Sequence, residues 1–397
     1  MDLTILPGKL SGSINIIPSK SQAHRLLICA AFADSPTSLF CPDTNRDMDT
    51  TADCLNALGA RIRRTGIGYE ITPVRDVPDS ALLNCHDSGS TLRFMLPVAG
   101  ALGVDTVFRM EGRLPSRPLS PLWEEMERMG CTLSRPTADT IRCQGRLKPG
   151  RYSIDGGVSS QFITGLLLAS ALLEGESQIR LTGKVESRPY ITMTQQAMCL
   201  FGKPCEDFVV MGGTFRSPGT VRVEGDWSNG AFFLAAAALG NPVTVENLVM
   251  DSPQGDRAVF RLLPQLQENI TISAADSPDL VPVLSVAAAC NQGAVFTDIR
   301  RLRLKESDRV ASVIDMLKAL GGNAEADDDT LTVYGTGLTG GTVYAMNDHR
   351  IAMSAAIAAT VCQKPVTILG AQCVEKSYPK FFEEYSRLGG IYEQYLR

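Results

Sequence analysis

An α/β or α+β chain of repeated units in two similar halves is what these 397 residues predict, on three observations. Six polar cassettes each lead into an apolar run rich in small residues and then a Gly or a turn. They are Pro18-Ser19-Lys20-Ser21, His86-Asp87-Ser88-Gly89-Ser90, Gly157-Val158-Ser159-Ser160-Gln161, Gly225-Asp226-Trp227-Ser228-Asn229, Asp276-Ser277-Pro278-Asp279 and Asn347-Asp348-His349-Arg350. Counted from Ser19, Ser88, Val158, Asp226, Pro278 and Asn347, the spacings are 69, 70, 68, 52 and 69 residues, long enough for several strands and helices per unit. Short β-rich runs lie between the cassettes, and helix-like runs ahead of several of them end in Leu-Gly or Met-Gly.

Each cassette reads as a helix start, with Ser or Asp as the cap. The strand candidates are 61–64 with 66–72, 140–143, 220–224 and 330–334. Helices ending at Leu58, Met129 and Leu320 are each followed by a glycine (Gly59, Gly130, Gly321) suited to the left-handed C′ position. Strand, helix, strand, helix, strand is the rough order per unit. A junction within 218–225 leaves three repeats on each side, and the cleft between two such halves is the natural site.

The net charge of −5 argues against nonspecific nucleic-acid binding, which needs a basic surface. No apolar stretch is long enough to span a bilayer, and the start of the chain lacks the signature of a signal peptide. Eleven Cys without close pairs read as reduced thiols of a cytoplasmic protein, and three His make a multi-histidine metal site unexpected.

The chemistry gathers at the helix starts. Lys20, Arg25, Arg93, Arg350 and the Lys305-Glu306-Ser307-Asp308-Arg309 run all sit where the helix dipole disfavours cations by roughly 0.3–1 kcal/mol each. Repetition of that placement points to an anionic ligand in front of these helices; pairing of each with a nearby carboxylate, such as Lys305 with Asp308, is the plainer alternative. If Lys305 is already helical, it and Arg309 are i, i+4 neighbours that repel unless an anion bridges them. Glu306 beside Lys305 offers an acid/base pair. Asp348 is either a helix cap or a partner that orients Arg350, whose planar fork suits carboxylate or phosphate. Lys20-Ser21 with Arg25 is a phosphate-holding mixture without a Walker A frame. Ser159-Ser160-Gln161 offers uncharged groups for hydroxyls, or simple capping. Asp279 reads as a base for a hydroxyl or as a cap. Arg117 and Lys376, in Pro-bounded loops, are either loop cations closing on substrate or surface charges.

In series, Lys20-Ser21…Arg25, Ser88-Gly89-Ser90-Thr91-Leu92-Arg93, Arg117-Pro118-Leu119, Ser159-Ser160-Gln161, Ser187-Arg188-Pro189-Tyr190, Asp226, Pro278-Asp279, Leu304–Arg309, Asp348-His349-Arg350 and Lys376-Ser377 make the chain resemble the 5-enolpyruvylshikimate-3-phosphate synthases over essentially its whole length. The resemblance implies six βαβαββ-like units in two domains, an inside-out α/β barrel arrangement with the active site in the cleft. One domain would comprise 1–17 and 226–397, with cations for phosphoenolpyruvate; the other, 18–225, would be inserted on the shikimate 3-phosphate side. The implied reaction passes the carboxyvinyl group of phosphoenolpyruvate to the 5-hydroxyl of shikimate 3-phosphate and releases phosphate. Both substrates are small multiply charged anions; no metal, organic cofactor, nucleic acid or membrane is called for, and a monomer is expected.

By the same resemblance, Lys20, Ser21, Arg25, Ser159, Ser160, Gln161, Ser187, Tyr190, Asp279 and Lys305 would hold shikimate 3-phosphate. Lys20, Gly89, Arg117, Gln161, Arg309, Arg350 and Lys376 would hold phosphoenolpyruvate. Asp279 would accept the hydroxyl proton, with Lys305 and Glu306 handling protons at the methylene. Asp87 stands where many members carry Asn, and so calls for protonation or a partner such as Arg93; Arg301 stands where some members carry Asn. Two rivals remain. The sister UDP-N-acetylglucosamine enolpyruvyl transferases usually carry a Cys in a loop that here reads Gly112–Pro118 without one. A noncatalytic anion-binding repeat protein would need the cations but neither Asp279 nor Glu306.

Overall fold

The computed structural model describes residues 1–395. Within them the chain divides into two compact units: Met1–Ile17 with Gly225 onward, and Pro18–Glu224.

Strand and helix burial follow different periods, and that difference orders each unit. Strands such as Arg151–Asp155 bury alternate residues, here Tyr152 and Ile154, and show the others to solvent. The cassette helices are buried on nearly every side. Gly89–Leu102 buries all but Ser90 and Leu102, and Val281–Ala289 and His349–Ala359 bury every residue. Helices apolar all round are internal, so the helices form the centre and the sheets cover them. Close helix contact needs small residues. A Cβ on Gly165 would stand 2.3 Å from the Arg93 carbonyl oxygen, so glycine lets Ser160–Ser170 press against Gly89–Leu102.

The sheets repeat one plan. In the Pro18–Glu224 unit, Thr220–Arg222 runs parallel to Thr37–Phe40, which pairs antiparallel with Gly68–Thr72 and then Arg61–Thr65. Ser80–Asn84, Asp105–Arg109, Thr140–Gly145 and Cys131–Ser134 follow the same order. Arg151–Asp155, Glu176–Thr182 and Val209–Met211 are a three-stranded version. In the other unit, Ile270–Ser273, Ala294–Thr297, Thr330–Tyr334 and Asn323–Ala326 repeat it. So do Gly341–Tyr344, Val366–Leu369, Asp2–Ile5 and Tyr392–Tyr395, with Thr4 opposite Thr367. Val243–Glu246 beside Gly12–Asn15 keeps only the parallel pair.

Five cassettes do what capping chemistry expects. Ser19, Ser88, Ser159, Asp226 and Asp348 each accept a backbone N–H through the side chain at a helix start. The fifth in order differs: Val281–Ala289 follows Leu280, which offers no side-chain cap, so Asp279 is not a cap. Gly59, Gly130 and Gly321 adopt φ of 102°, 116° and 85°, the left-handed stop the sequence suggests.

One condition is not met. Lys305 is not helical: it closes the short 3₁₀ segment Arg300–Leu304 with extended backbone, and the helix begins at Arg309 behind Asp308. The Asp308 carboxylate accepts the Ala311 N–H, a stronger local signal than the apolar spacing that follows it. Lys305 and Arg309 are therefore not i, i+4 neighbours on a helix. Nor does Asp308 pair with Lys305; it lies 3.7 Å from Arg303.

Candidate active site

The Pro18–Glu224 unit builds its polar set from helix starts. Ser19 caps the Lys20–Ala31 helix, and Lys20 at its first position reaches Asp47 Oδ2 at 3.0 Å. One turn on, Arg25 is buried. Its Nε donates to Thr194 Oγ1 at 2.8 Å, its Nη2 to Thr164 Oγ1 at 3.2 Å and to the Tyr190 carbonyl at 3.1 Å, and its Nη1 to the Ser21 carbonyl. Its guanidinium also lies over Phe94, 5.1 Å from the ring centre. Burial pushes its pKa down to about 10, which leaves it charged at neutral pH. Arg25 thus ties Ser21 and Tyr190 into one place, with Ser187 at φ 54° at the start of the Arg188–Leu200 helix.

A second group forms around Gly89. Arg93 Nη1 donates to Gln161 Oε1 at 3.1 Å and its Nη2 to the Pro118 carbonyl at 3.1 Å. Gln161 Nε2 donates to Ser90 Oγ at 2.9 Å. A Cβ on Gly89 would stand 2.6 Å from Arg93 Nη1 and 2.7 Å from Arg117 Nη1, so two guanidinium groups converge on this helix start. Two cations, the free N–H groups of a helix N-terminus and a carboxamide make a cradle for an anion. Arg117 is therefore no isolated surface charge.

The other unit gathers its charges on Asp279. Its Oδ1 lies 2.7 Å from Arg309 Nη1 and 3.7 Å from Lys305 Nζ, and its Oδ2 lies 3.0 Å from Arg350 Nη2. Arg309 also reaches Glu306 at 2.8 Å and Asp348 at 3.0 Å, and Ser307 donates to the same Asp348 oxygen at 3.2 Å. Burial alone would raise the Asp279 pKa, but Arg350, Lys305 and Arg309 outweigh it and hold the carboxyl well below its usual range. Burial lowers the Lys305 pKa to about 8, and the neighbouring Arg309 and Arg301 push the same way. Burial opposes the charge on Arg309, yet Asp348, Glu306 and Asp279 prevail and raise its pKa. Asp348 both caps its helix, accepting the Arg350 N–H at 3.0 Å, and orients Arg309 rather than the Arg350 fork. Lys376 ends the 3₁₀ segment Ala371–Lys376 and is buried, so it is not a surface charge.

Several members escaped the sequence reading. Asp47, Thr164 and Thr194 act across long sequence separations and carry no local motif. Asp256 is buried and accepts from Ser228 Oγ; burial, with Asp279 nearby, raises its pKa to about 6. His86, at φ 47°, lies 2.9 Å from Glu111 and 3.3 Å from Arg46, just ahead of the Gly89 helix. Among the described residues, no group of three or more His, Cys, Asp or Glu is placed to hold a metal ion, and no helix is long and apolar enough to cross a membrane.

Comparison with known proteins agrees in extent and kind. Residues 6–385 match the family model described as EPSP synthase (3-phosphoshikimate 1-carboxyvinyltransferase). A 3-phosphoshikimate 1-carboxyvinyltransferase from Clostridium beijerinckii is 34% identical over 99% of both chains. One from Clostridioides difficile is 35% identical over 99% of this chain and 98% of its own. An EPSP synthase structure from Acinetobacter baumannii superposes with a TM-score of 0.80 at 25% identity, over 99% of this chain and 100% of that one.

Proposed function

The chain belongs to the EPSP synthase family and transfers the enolpyruvyl group of phosphoenolpyruvate to the 5-hydroxyl of shikimate 3-phosphate, releasing phosphate; from that premise we propose how its residues divide the work. The observation that carries the proposal is the meeting of Lys305, Arg309 and Arg350 on the single carboxylate of Asp279.

Shikimate 3-phosphate is held by Lys20, Ser21, Arg25, Ser159, Ser160, Gln161, Ser187 and Tyr190, with Asp279 and Lys305 at its reacting hydroxyl. Phosphoenolpyruvate is held by Arg117, Arg309, Arg350 and Lys376, assisted by Lys20 and Gln161, with Gly89 leaving room for the anion. The addition step forms a bond from the 5-oxygen to C2 of phosphoenolpyruvate. Asp279 takes the hydroxyl proton, and Lys305, with Glu306, delivers a proton to C3. Elimination then returns a proton from C3 to Lys305, with Glu306, and breaks the bond from C2 to the phosphate oxygen, whose electron pair leaves with the phosphate. The cations stabilise the tetrahedral intermediate and the leaving phosphate.

Asp279 poses an apparent difficulty, because a carboxylate held by two guanidinium groups is a poor base. Substrate resolves it. When anionic groups of phosphoenolpyruvate take over Arg309 and Arg350, Asp279 loses its nearest partners and its basicity rises where the hydroxyl proton must go. Lys305 needs only a modest change of surroundings to give or take a proton near neutral pH.

The test is phosphate release from purified protein with phosphoenolpyruvate and shikimate 3-phosphate, beside UDP-N-acetylglucosamine as acceptor. Release with shikimate 3-phosphate alone, lowered about 10²-fold or more by Asp279→Asn, is expected. Undiminished release by that variant would remove Asp279 from the chemistry.

A further inference from the structure

The core of the Pro18–Glu224 unit contains a polar chain that none of the roles above uses. His24 Nδ1 lies 2.7 Å from Thr51 Oγ1, Thr51 Oγ1 lies 2.7 Å from Thr91 Oγ1, and Thr91 Oγ1 lies 2.8 Å from Ser88 Oγ. All four residues are completely buried. Ser88 is the cap of the Gly89–Leu102 helix, and its Oγ also accepts the Thr91 N–H at 3.4 Å. The chain therefore runs from the Lys20–Ala31 helix, next to Arg25, through Arg46–Ala57, to the helix start where Arg93 and Arg117 converge.

Its direction follows from counting protons. If His24 donates from Nδ1, each hydroxyl passes its proton towards Ser88, and the Ser88 proton is left with no acceptor in the chain. If His24 accepts at Nδ1, Ser88 donates to Thr91, Thr91 to Thr51 and Thr51 to His24. Every hydroxyl then both gives and receives, and only the Nε2–H of His24 lacks a partner. The second arrangement satisfies more groups. It also orients Ser88: with its proton committed to Thr91 Oγ1, its lone pairs face the first-turn N–H groups.

We propose that His24 is a positioning residue for the donor substrate: as the acceptor that ends this chain, it fixes the Ser88 cap and so the place of the Gly89 and Ser90 N–H groups that face the anion. The proposal rests on the placing of phosphoenolpyruvate at Gly89 made above. A purely space-filling role would be better met by an apolar side chain, since a buried ring nitrogen without a partner is unfavourable. Burial lowers the His24 pKa to about 3, so the ring stays neutral and available as an acceptor throughout the working range.

Two measurements test this. Thr51→Val cuts the chain with little change of shape, and Thr51→Ser keeps the hydroxyl. With T51V, the KM for phosphoenolpyruvate should rise about tenfold or more, as expected when one well-made hydrogen bond to an anion is removed. The Kd for shikimate 3-phosphate alone, measured by calorimetry, should stay within about twofold, and T51S should match the parent. A folded T51V with an unchanged KM, or with both constants raised together, would overturn the proposal. The second measurement needs no variant and no turnover. The chain has only His24, His86 and His349, so ¹⁵N-histidine spectra resolve each ring. His24 should show an unprotonated Nδ1 and a protonated Nε2, unchanged from about pH 5.5 to 8.5. A protonated Nδ1 would refute the chain even if T51V failed to fold. Absence of phosphate release by the parent enzyme would instead count against the functional reading, and the spectrum would still decide the chain.

Discussion

Adding one methyl group at Gly89 probes the proposed donor half-site directly. In Gly89→Ala the new Cβ would stand 2.6 Å from Arg93 Nη1 and 2.7 Å from Arg117 Nη1, both too close to persist, and a tight 3.2 Å from Arg117 Cζ. The atoms in the way are ends of flexible side chains, so the guanidinium groups yield and the helix stays. Restoring ordinary contact moves them by nearly 1 Å. At that displacement a charge-assisted hydrogen bond to a bound anion is largely lost, a contribution of about 1.5–3 kcal/mol. The KM for phosphoenolpyruvate should therefore rise roughly 10- to 150-fold. Alanine is a better helix former than glycine, so the melting temperature should not fall. Steady-state kinetics with each substrate varied in turn separates the effects, because the KM for shikimate 3-phosphate should move less than about twofold. Equal increases in both constants, or an unmoved donor KM, would show that the helix start at Gly89 does not serve phosphoenolpyruvate.

Other perturbations bear on the second unit. Asp279→Asn removes the proposed hydroxyl base and should lower kcat by about 10²-fold or more in single-turnover phosphate release; a loss under tenfold would point to another base. On the proposed mechanism Lys305, with its pKa near 8, is protonated when it delivers a proton to C3, so kcat/KM should fall as pH rises through about 8. Lys305→Arg should be slower and should lack that alkaline limb, and a limb that survives in it belongs to another group. Asp348→Asn leaves the buried Arg309 without its most buried partner and should cost about 3–5 kcal/mol, read as a lower urea midpoint at unchanged m. A shift under about 1 kcal/mol would mean that Glu306 and Asp279 alone suffice to hold Arg309.

Local chemistry was readable wherever a residue acts on its own neighbourhood. Ser88 caps the residue three positions on, Gly321 stops the helix before it, and the 61–72 hairpin follows from β-rich runs around a turn. Whether Lys305 is helical stays open in the sequence because apolar spacing marks a buried face but not the turn at which the helix begins; Asp308 settles that. Asp279 was ambiguous between cap and base because both uses need the same residue type in the same place. The carboxylates that tune the site lay beyond such reasoning. Asp348 meets Arg309 across 39 residues and Asp47 meets Lys20 across 27, and only the packing of separate helices brings them together. His24 could be read as a core histidine but not as one end of a chain, since its partners come from two other helices.

The inserted course of the chain bears on how the molecule comes into being. Ser19 N donates to the Glu224 carbonyl at 2.7 Å, so the Pro18–Glu224 unit begins and ends at one spot. It is an unbroken segment that can fold as soon as it has left the ribosome. The other unit must wait, because its first strand, Asp2–Ile5, lies between Val366–Leu369 and Tyr392–Tyr395. Closing a loop of some two hundred disordered residues would cost about 4–5 kcal/mol in chain entropy. Once the inserted unit has folded, its joined ends replace that loop with a short bridge, and the pairing of Gly12–Asn15 with Val243–Glu246 becomes a local closure. Refolding should accordingly be sequential, with the central segment gaining hydrogen-exchange protection before Asp2–Ile5 does.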